Sequence, residues 1–123
     1  MVAWLNMILK DIFLRPRPDF SLAFLHASGF SFPSGHAMNS TAFYGMIAYL
    51  IIITYRDWKV KTLAIIAWLG LSILIGFSRI YLGVHYFTDV AAGWAAGVLW
   101  LTICILGEYL IHLSKFGIYK NSS

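Results

Sequence analysis

The chain reads as all-α: a polytopic membrane helix bundle with about three spanning helices and a partial helix at its N-terminal end. Three observations predict this. Apolar residues make up 60% of the 123 positions and charged residues only 11%, with a mean hydropathy of +0.76, whereas a soluble domain carries about 25% charge. So few charges would leave large apolar patches in water, and the same balance excludes disorder. Three long runs lack any Asp, Glu, Lys or Arg, and none of them alternates with period two, which argues against strands.

The elements follow in order. Residues 1–9 are apolar but too few to span, and Lys10-Asp11 closes them. They look like the last turns of a helix rather than a signal peptide, which needs a basic start and a small-residue cleavage site. Arg15-Pro16-Arg17-Pro18 breaks any helix, because each proline removes a donor and pushes its predecessor toward extended geometry. Residues 19–36 form a connector rich in Ser, Gly and Phe, uncharged after Asp19; its apolar character places it in the interface or against the helices. Ala37 to Tyr55 is the first span, reaching roughly 28 Å at helical rise. Thr62 to Ser78 is the second, flanked by Lys61 and Arg79, whose stems can snorkel to the headgroups. Val90 to Gly107 is the third, bounded by Asp89 and Glu108, and its Gly93-x-x-x-Gly97 spacing beside Ala92 and Ala96 offers a flat face for close helix packing. The chain, 1–123, is read as one membrane domain, with 112–123 as a cytosolic tail.

The net charge of +4 does not point to nucleic acid. Lys10, Arg15, Arg17 and Arg79 lie beside polar motifs, Arg56, Lys59 and Lys61 share one loop, and Lys115 and Lys120 lie in the tail, so no single basic stripe forms. The 56–61 loop and the tail must emerge on one side, and the positive-inside rule makes it cytoplasmic. The other face then collects residues 10–36 and 79–89 and is expected to be periplasmic or extracellular. Cys104, the single cysteine, lies inside an apolar run and reads as a buried hydrophobe.

That second face carries the chemistry, since ionisable groups beside spanning segments are functional candidates by default. Lys10 and Arg17 supply positive charge from a segment stiffened by Pro16 and Pro18. Pro33-Ser34-Gly35-His36 stands where the first long helix begins; Ser34 fits an N-cap, and Gly35 lets backbone N–H groups approach an anion at a helix N-terminus. Ser78-Arg79 ends the second span, and His85 and Asp89 follow at i and i+4, on one face of any helix they occupy. This set suits phosphoryl transfer, whose transition state spreads charge over three oxygens and needs several fixed donors. Arginine matches phosphate bidentately. A neutral imidazole can attack phosphorus while a nearby carboxylate fixes its tautomer, a role open to His85 with Asp89. His36 can protonate the departing oxygen. The acidic residues Asp11, Asp19, Asp57, Asp89 and Glu108 do not cluster in sequence, so a two-metal site fits poorly. Three adjacent cations oppose a zinc site at His36, His85 and Asp89. No metal and no cofactor is expected.

Lys10-x6-Arg17-Pro18, Pro33-Ser34-Gly35-His36 and Ser78-Arg79-x5-His85-x3-Asp89 together resemble the three-part signature of the type 2 phosphatidic acid phosphatase superfamily. That group includes membrane lipid phosphatases and vanadium-dependent haloperoxidases. Eleven specified positions match in order and spacing, from Lys10 onward across nearly the whole chain. The resemblance implies that His85 is the nucleophile forming a phosphohistidine, that Asp89 orients it, and that His36 is the acid and then the base. It implies phosphate binding by Lys10, Arg17, Ser34, Gly35 and Arg79, and metal-independent hydrolysis of a lipid phosphate such as phosphatidate, phosphatidylglycerophosphate or undecaprenyl diphosphate, in a bacterial plasma membrane. The choice of His85 over His36 as nucleophile rests mainly on the resemblance. Membrane members have about two complete helices before the Lys-bearing segment, and here that segment begins at Met1. The expectation is a piece of a longer protein, or a minimal or homo-oligomeric form; a non-catalytic membrane protein of the same fold is the alternative, and a haloperoxidase, a soluble branch, the more distant one. Arg15 falls outside the matching spacing and is assigned to lipid headgroups. His26 and His112 are assigned structural or interfacial roles.

Overall fold

A computed structural model of the chain describes residues 2–18 and 29–120, with side chains through Ser114. Four helices follow one another: α1 (Val2–Phe13), α2 (Gly35–Thr54), α3 (Trp58–Tyr81) and α4 (Phe87–Lys120). No strand occurs among the described residues. Helices α2 and α3, with α4 as far as Ser114, are each long and apolar enough to cross a membrane, as the uncharged runs predict.

Helix α2 is the centre of the bundle, packed against α1, α3 and α4. Its buried positions are mostly small: Ala37, Ser40, Thr41, Ala42, Gly45 and Ala48, with Met38 as the one large side chain. Small side chains let neighbouring backbones approach closely, which is how helices associate when lipid removes the hydrophobic drive. The Gly93-x-x-x-Gly97 face packs here. A Cβ at Gly93 would stand 2.7 Å from the Ser34 carbonyl oxygen, and one at Gly97 would stand 2.7 Å from that of Met38. Helix α3 is tied to both neighbours: Trp68 Nε1 donates to the Thr41 carbonyl of α2 at 2.9 Å, and Trp94 Nε1 of α4 donates to the Ser72 carbonyl at 3.0 Å. The outward faces of α3 and α4 carry exposed Leu, Ile and Phe, among them Leu63, Ile66, Leu74, Leu99 and Leu110, as suits a hydrocarbon solvent. Glu108 is tolerated inside α4 because the Tyr49 hydroxyl donates to its carboxylate at 2.6 Å.

The ends of the helices differ from the sequence expectation, each for a local reason. Helix α1 runs past Lys10-Asp11 to Phe13; the lysine sits in the last turn, where the helix dipole favours a cation. It stops at Leu14, which takes the left-handed conformation (φ 46°) that commonly ends a helix. Helix α3 opens at Trp58 rather than Thr62, because Asp57 caps it by accepting from the Lys59 N–H at 2.9 Å. Helix α4 begins at Phe87 and continues through Lys120, so the segment from 112, expected as a tail, is helical to that point. Most of the 19–36 connector lies outside the described residues, as does His26; its final part ends at Ser34, the N-cap of α2.

The Gly97 contact predicts a stability effect. Gly97→Val should lower the detergent unfolding midpoint, at an overpacking cost of about 1–3 kcal/mol. Gly107→Ala, with open space where its Cβ would lie, should leave the midpoint unchanged or slightly raised. Equal midpoints for the two variants would mean that α4 does not seat on α2 through Gly97.

Candidate active site

One end of the bundle is formed by the start of α2, the end of α3 and the start of α4, with the segment after α1 laid across it. A cavity of about 580 Å³ opens there, and its wall includes Lys10, Arg17, Gly35, His36 and His85. Five of the eight residues singled out from the sequence therefore face one space. Its lower wall is Asn39, Ser40, Phe43, Tyr44 and Ile75, so the cavity grades from cationic at the bundle end to apolar along α2.

Each polar side chain is held by its own local structure. The Lys10 ammonium donates to the Phe30 carbonyl. The Arg17 guanidinium donates through Nε to the Gly29 carbonyl at 3.0 Å and through Nη1 to that of Val84 at 2.9 Å, tying the connector to the loop before α4. Gly35 and His36 ride the first turn of α2, whose entry is fixed from both sides. The Ser34 N–H donates to the Asp89 carbonyl at 2.9 Å, and the buried Asn6 amide donates to the Pro33 carbonyl at 3.3 Å. Asn6 is a residue that sequence reasoning missed. A lone amide inside nine apolar-dominated positions was the signal, because a polar group in such a helix needs a buried partner.

His85 does not lie on a helix. It occupies the loop that follows α3, where Gly83 takes a left-handed turn (φ 69°), while Asp89 lies in the first turn of α4. The i, i+4 pairing expected on a helix face is achieved differently. Tyr86 stands just before α4, and its N–H donates to Asp89 Oδ2 at 2.9 Å. This is the back-reach of a capping box, from the third helical residue to the cap. The same oxygen stands 3.5 Å from His85 Nδ1, longer than a formed hydrogen bond, and the buried Nδ1 has no hydrogen-bond partner among the described residues. Asp89 is completely buried and His85 nearly so.

Burial, then the nearby Arg17 charge, pushes the His85 imidazole down to about 4, with Lys10 adding to the effect and Asp89 opposing it. The ring is therefore neutral at physiological pH, the state in which nitrogen keeps a lone pair for attack. With Nδ1 turned to Asp89, Nε2 is the nitrogen left for the cavity.

Ser34 and Arg79 are not among the residues of the cavity wall. Ser34 is wholly buried, caps α2 through its backbone alone, and its hydroxyl has no hydrogen-bond partner among the described residues. Arg79 lies in the last turn of α3, donates through Nε to the Ser78 hydroxyl at 3.1 Å, and is within electrostatic reach of His36. Arg15 departs from its assignment to headgroups. Its Nη1 donates to Asp89 Oδ1 at 2.8 Å and to the Thr88 hydroxyl at 2.7 Å.

The family model of the PAP2 superfamily matches residues 1–110. The chain belongs to the PAP2 superfamily. This PAP2 chain is 44% identical over 97 residues to phosphatidylglycerophosphatase B of Bacillus subtilis, covering 77% of its own length and 47% of that protein. It is 37% identical over 111 residues to sphingosine-1-phosphate phosphatase 1 of Rattus norvegicus, covering 84% of its own length and 24% of the relative. Against an undecaprenyl-diphosphatase of Sulfolobus acidocaldarius it is 33% identical over 93 residues, covering 75% and 36%. The crystal structure of a transmembrane PAP2 type phosphatidylglycerolphosphate phosphatase from Bacillus subtilis superposes with a TM-score of 0.81 at 39% identity, over 89% of this chain and 54% of that one. The PAP2 chain thus spans less than half the length of these curated relatives, and with three apolar helices and a transmembrane structural neighbour it is an integral membrane protein.

The depressed His85 value has a consequence for stability. The unfolded chain protonates this ring as pH falls through about 6.5, whereas the folded chain does so only near about 4. Between those values the unfolded state binds more protons, so stability is lost on acidification across that window. His85→Gln removes this loss. The unfolding midpoint of the wild type relative to His85→Gln should therefore fall between about pH 7.5 and about pH 5; a constant difference would show that the imidazole is not held neutral.

Proposed function

We propose that this PAP2 chain is an integral-membrane, metal-independent phosphatase of lipid phosphomonoesters or diphosphates. The observation that carries the reading is His85, beside buried Asp89, opening with His36, Lys10 and Arg17 onto one cavity whose lower wall is apolar. A phosphate headgroup fits the cationic end, and a lipid tail fits the wall of Phe43, Tyr44 and Ile75. The relatives named for lipid phosphates and diphosphates support the same substrate class.

The reaction runs in two displacements. His85 Nε2 attacks the terminal phosphorus, its bond to the leaving oxygen (the lipid oxygen of a monoester, the bridging oxygen of a diphosphate) breaks, and His36 gives its proton to that oxygen. Asp89 holds the Nδ1 proton in place and stabilises the positive charge on the ring. His36, now neutral, takes a proton from water as the water attacks the phosphohistidine, releasing inorganic phosphate and restoring both rings. Lys10 and Arg17, with Arg79 and the N–H of Gly35, stabilise the phosphoryl oxygens, while the Ser34 N–H is already bound to the Asp89 carbonyl. Cationic side chains supply the positive charge that a metal supplies elsewhere.

Phosphate release in detergent from phosphatidate, phosphatidylglycerophosphate or undecaprenyl diphosphate is the direct test. His85→Ala should lower it on the order of 10³-fold or more, and His36→Ala by about 10²–10⁴-fold. Vanadate should inhibit, and chelator should not. Wild-type release no faster than that of His85→Ala would overturn the phosphatase reading and leave a non-catalytic membrane protein of the same fold. Chelator-abolished release would instead require a metal.

The site end is assigned to the outer face of a bacterial plasma membrane, because the opposite end, where α2 passes into α3, carries Arg56, Lys59 and Lys61 and basic ends stay cytoplasmic. In a Cys104→Ser background, Leu82→Cys should react with an impermeant maleimide in intact cells, and Trp58→Cys only after permeabilisation. The reverse pattern would invert the topology.

A further inference from the structure

Arg15 lies outside the phosphate-binding set, and its contacts point away from the cavity toward the support of His85. We propose that Arg15 is a positioning residue for the His85–Asp89 pair, its guanidinium clamping Asp89 Oδ1 and the Thr88 hydroxyl at the first turn of α4 so that Oδ2 is left facing the imidazole.

Four observations converge on it. Arg15 Nη1 reaches Asp89 Oδ1 at 2.8 Å and Thr88 Oγ1 at 2.7 Å. Its guanidinium carbon stands 4.2 Å from the centre of the Tyr86 ring, a cation–π distance, so the same side chain grips the residue whose N–H binds Asp89 Oδ2. Its backbone is fixed too, since its carbonyl accepts from the Ser31 N–H at 2.8 Å. The residue before it, Leu14, takes a left-handed φ of 46°, an uncommon state for a non-glycine, and it turns the chain out of α1 toward α4. The two carboxylate oxygens thus have separate duties. Oδ1 is held by Arg15, Oδ2 by the Tyr86 N–H, and the plane of the carboxylate is fixed relative to His85 Nδ1.

A carboxylate that is wholly buried is costly without a cation. Lys10 and Arg17, the other cations near His85, are engaged by the carbonyls of Phe30, Gly29 and Val84. Arg15 is the cation that meets Asp89 directly. It acts on His85 only through Asp89 and does not touch the cavity, which separates it from a phosphate ligand.

The test reads the imidazole itself in the full chain in detergent micelles. The groups facing His85 are Lys10 from α1, Arg17 from the segment after α1, His36 from α2 and Asp89 from α4, and all but Asp89 are kept. With ¹⁵N-histidine, the His85 ring titration should move upward by about one pH unit in Arg15→Gln, because the field of Asp89 is no longer offset. Arg15→Lys, which keeps the charge and loses the fork, should fall between, and it serves where Arg15→Gln is not monodisperse. In an Asp89→Asn background, Arg15→Gln should shift the ring by less than about a third as much. An unmoved titration, or an equal shift in both backgrounds, overturns the proposal. The effect on turnover rests on the phosphatase reading: there Arg15→Gln should lower kcat about 10-fold or more with KM within about twofold. A raised KM at constant kcat would make Arg15 a headgroup ligand instead. Absence of wild-type turnover refutes the phosphatase reading alone, and the titration then decides on Arg15.

Discussion

The buried Asp89 carboxylate is the constraint around which the polar end of the bundle is built. An ionised group with no solvent exposure must be paired and hydrogen-bonded or it destabilises the fold by several kcal/mol. Its partners come from separate parts of the chain: Arg15 from the segment after α1, the Tyr86 N–H from the loop before α4, and His85 from the same loop. The backbone of Asp89 extends the web, because its carbonyl accepts from the Ser34 N–H at the start of α2. One residue therefore connects the α1 segment, the entry of α2 and the origin of α4, and the geometry of the cavity follows from satisfying it.

The rest of the bundle allows that web to close. Gly93 and Gly97 bring the α4 backbone against the first turns of α2, with the Ser34 and Met38 carbonyls at distances no side chain would permit. Asn6 then fixes α1 against the same turn through the Pro33 carbonyl. Close packing and polar satisfaction are one requirement here: were α4 held further from α2, the Ser34–Asp89 backbone bond would open, and the His85 loop would lose its floor.

Much of this was legible in the sequence because the signals were strong and local. Charge-free runs gave three spans, and scarce ionisable residues in a lipid-soluble chain marked one face. The Gly93-x-x-x-Gly97 spacing marked a packing surface that α2 does occupy. What was not legible depended on how distant segments meet. Arg15 looked like a headgroup anchor because nothing in local spacing ties residue 15 to residue 89. The His85–Asp89 spacing suggested a shared helical face, whereas α4 starts only after His85 and the pairing comes from a capping geometry. Helix ends were misplaced at Asp57 and Lys10, where caps and dipole extend helices into charged sequence. Ser34 is the N-cap that its position suggests, and it caps by backbone while its hydroxyl stays buried.

The charge arrangement resolves an apparent conflict in the proposed reaction. A cavity lined by Lys10 and Arg17 attracts a phosphate, yet a nucleophile needs an unprotonated ring beside those same cations. The two requirements are compatible, since burial holds His85 neutral and the cations that would bind the anion add to that effect. Asp89 works against this: an unopposed carboxylate would draw a proton onto the ring and leave it unable to attack. Pairing its far oxygen with Arg15 offsets that charge and leaves the near oxygen directed at Nδ1. Orientation is then obtained from Asp89 without surrendering the lone pair. In the proposed attack, the positive charge formed on the ring would still be met by a carboxylate, at the one stage when that charge exists.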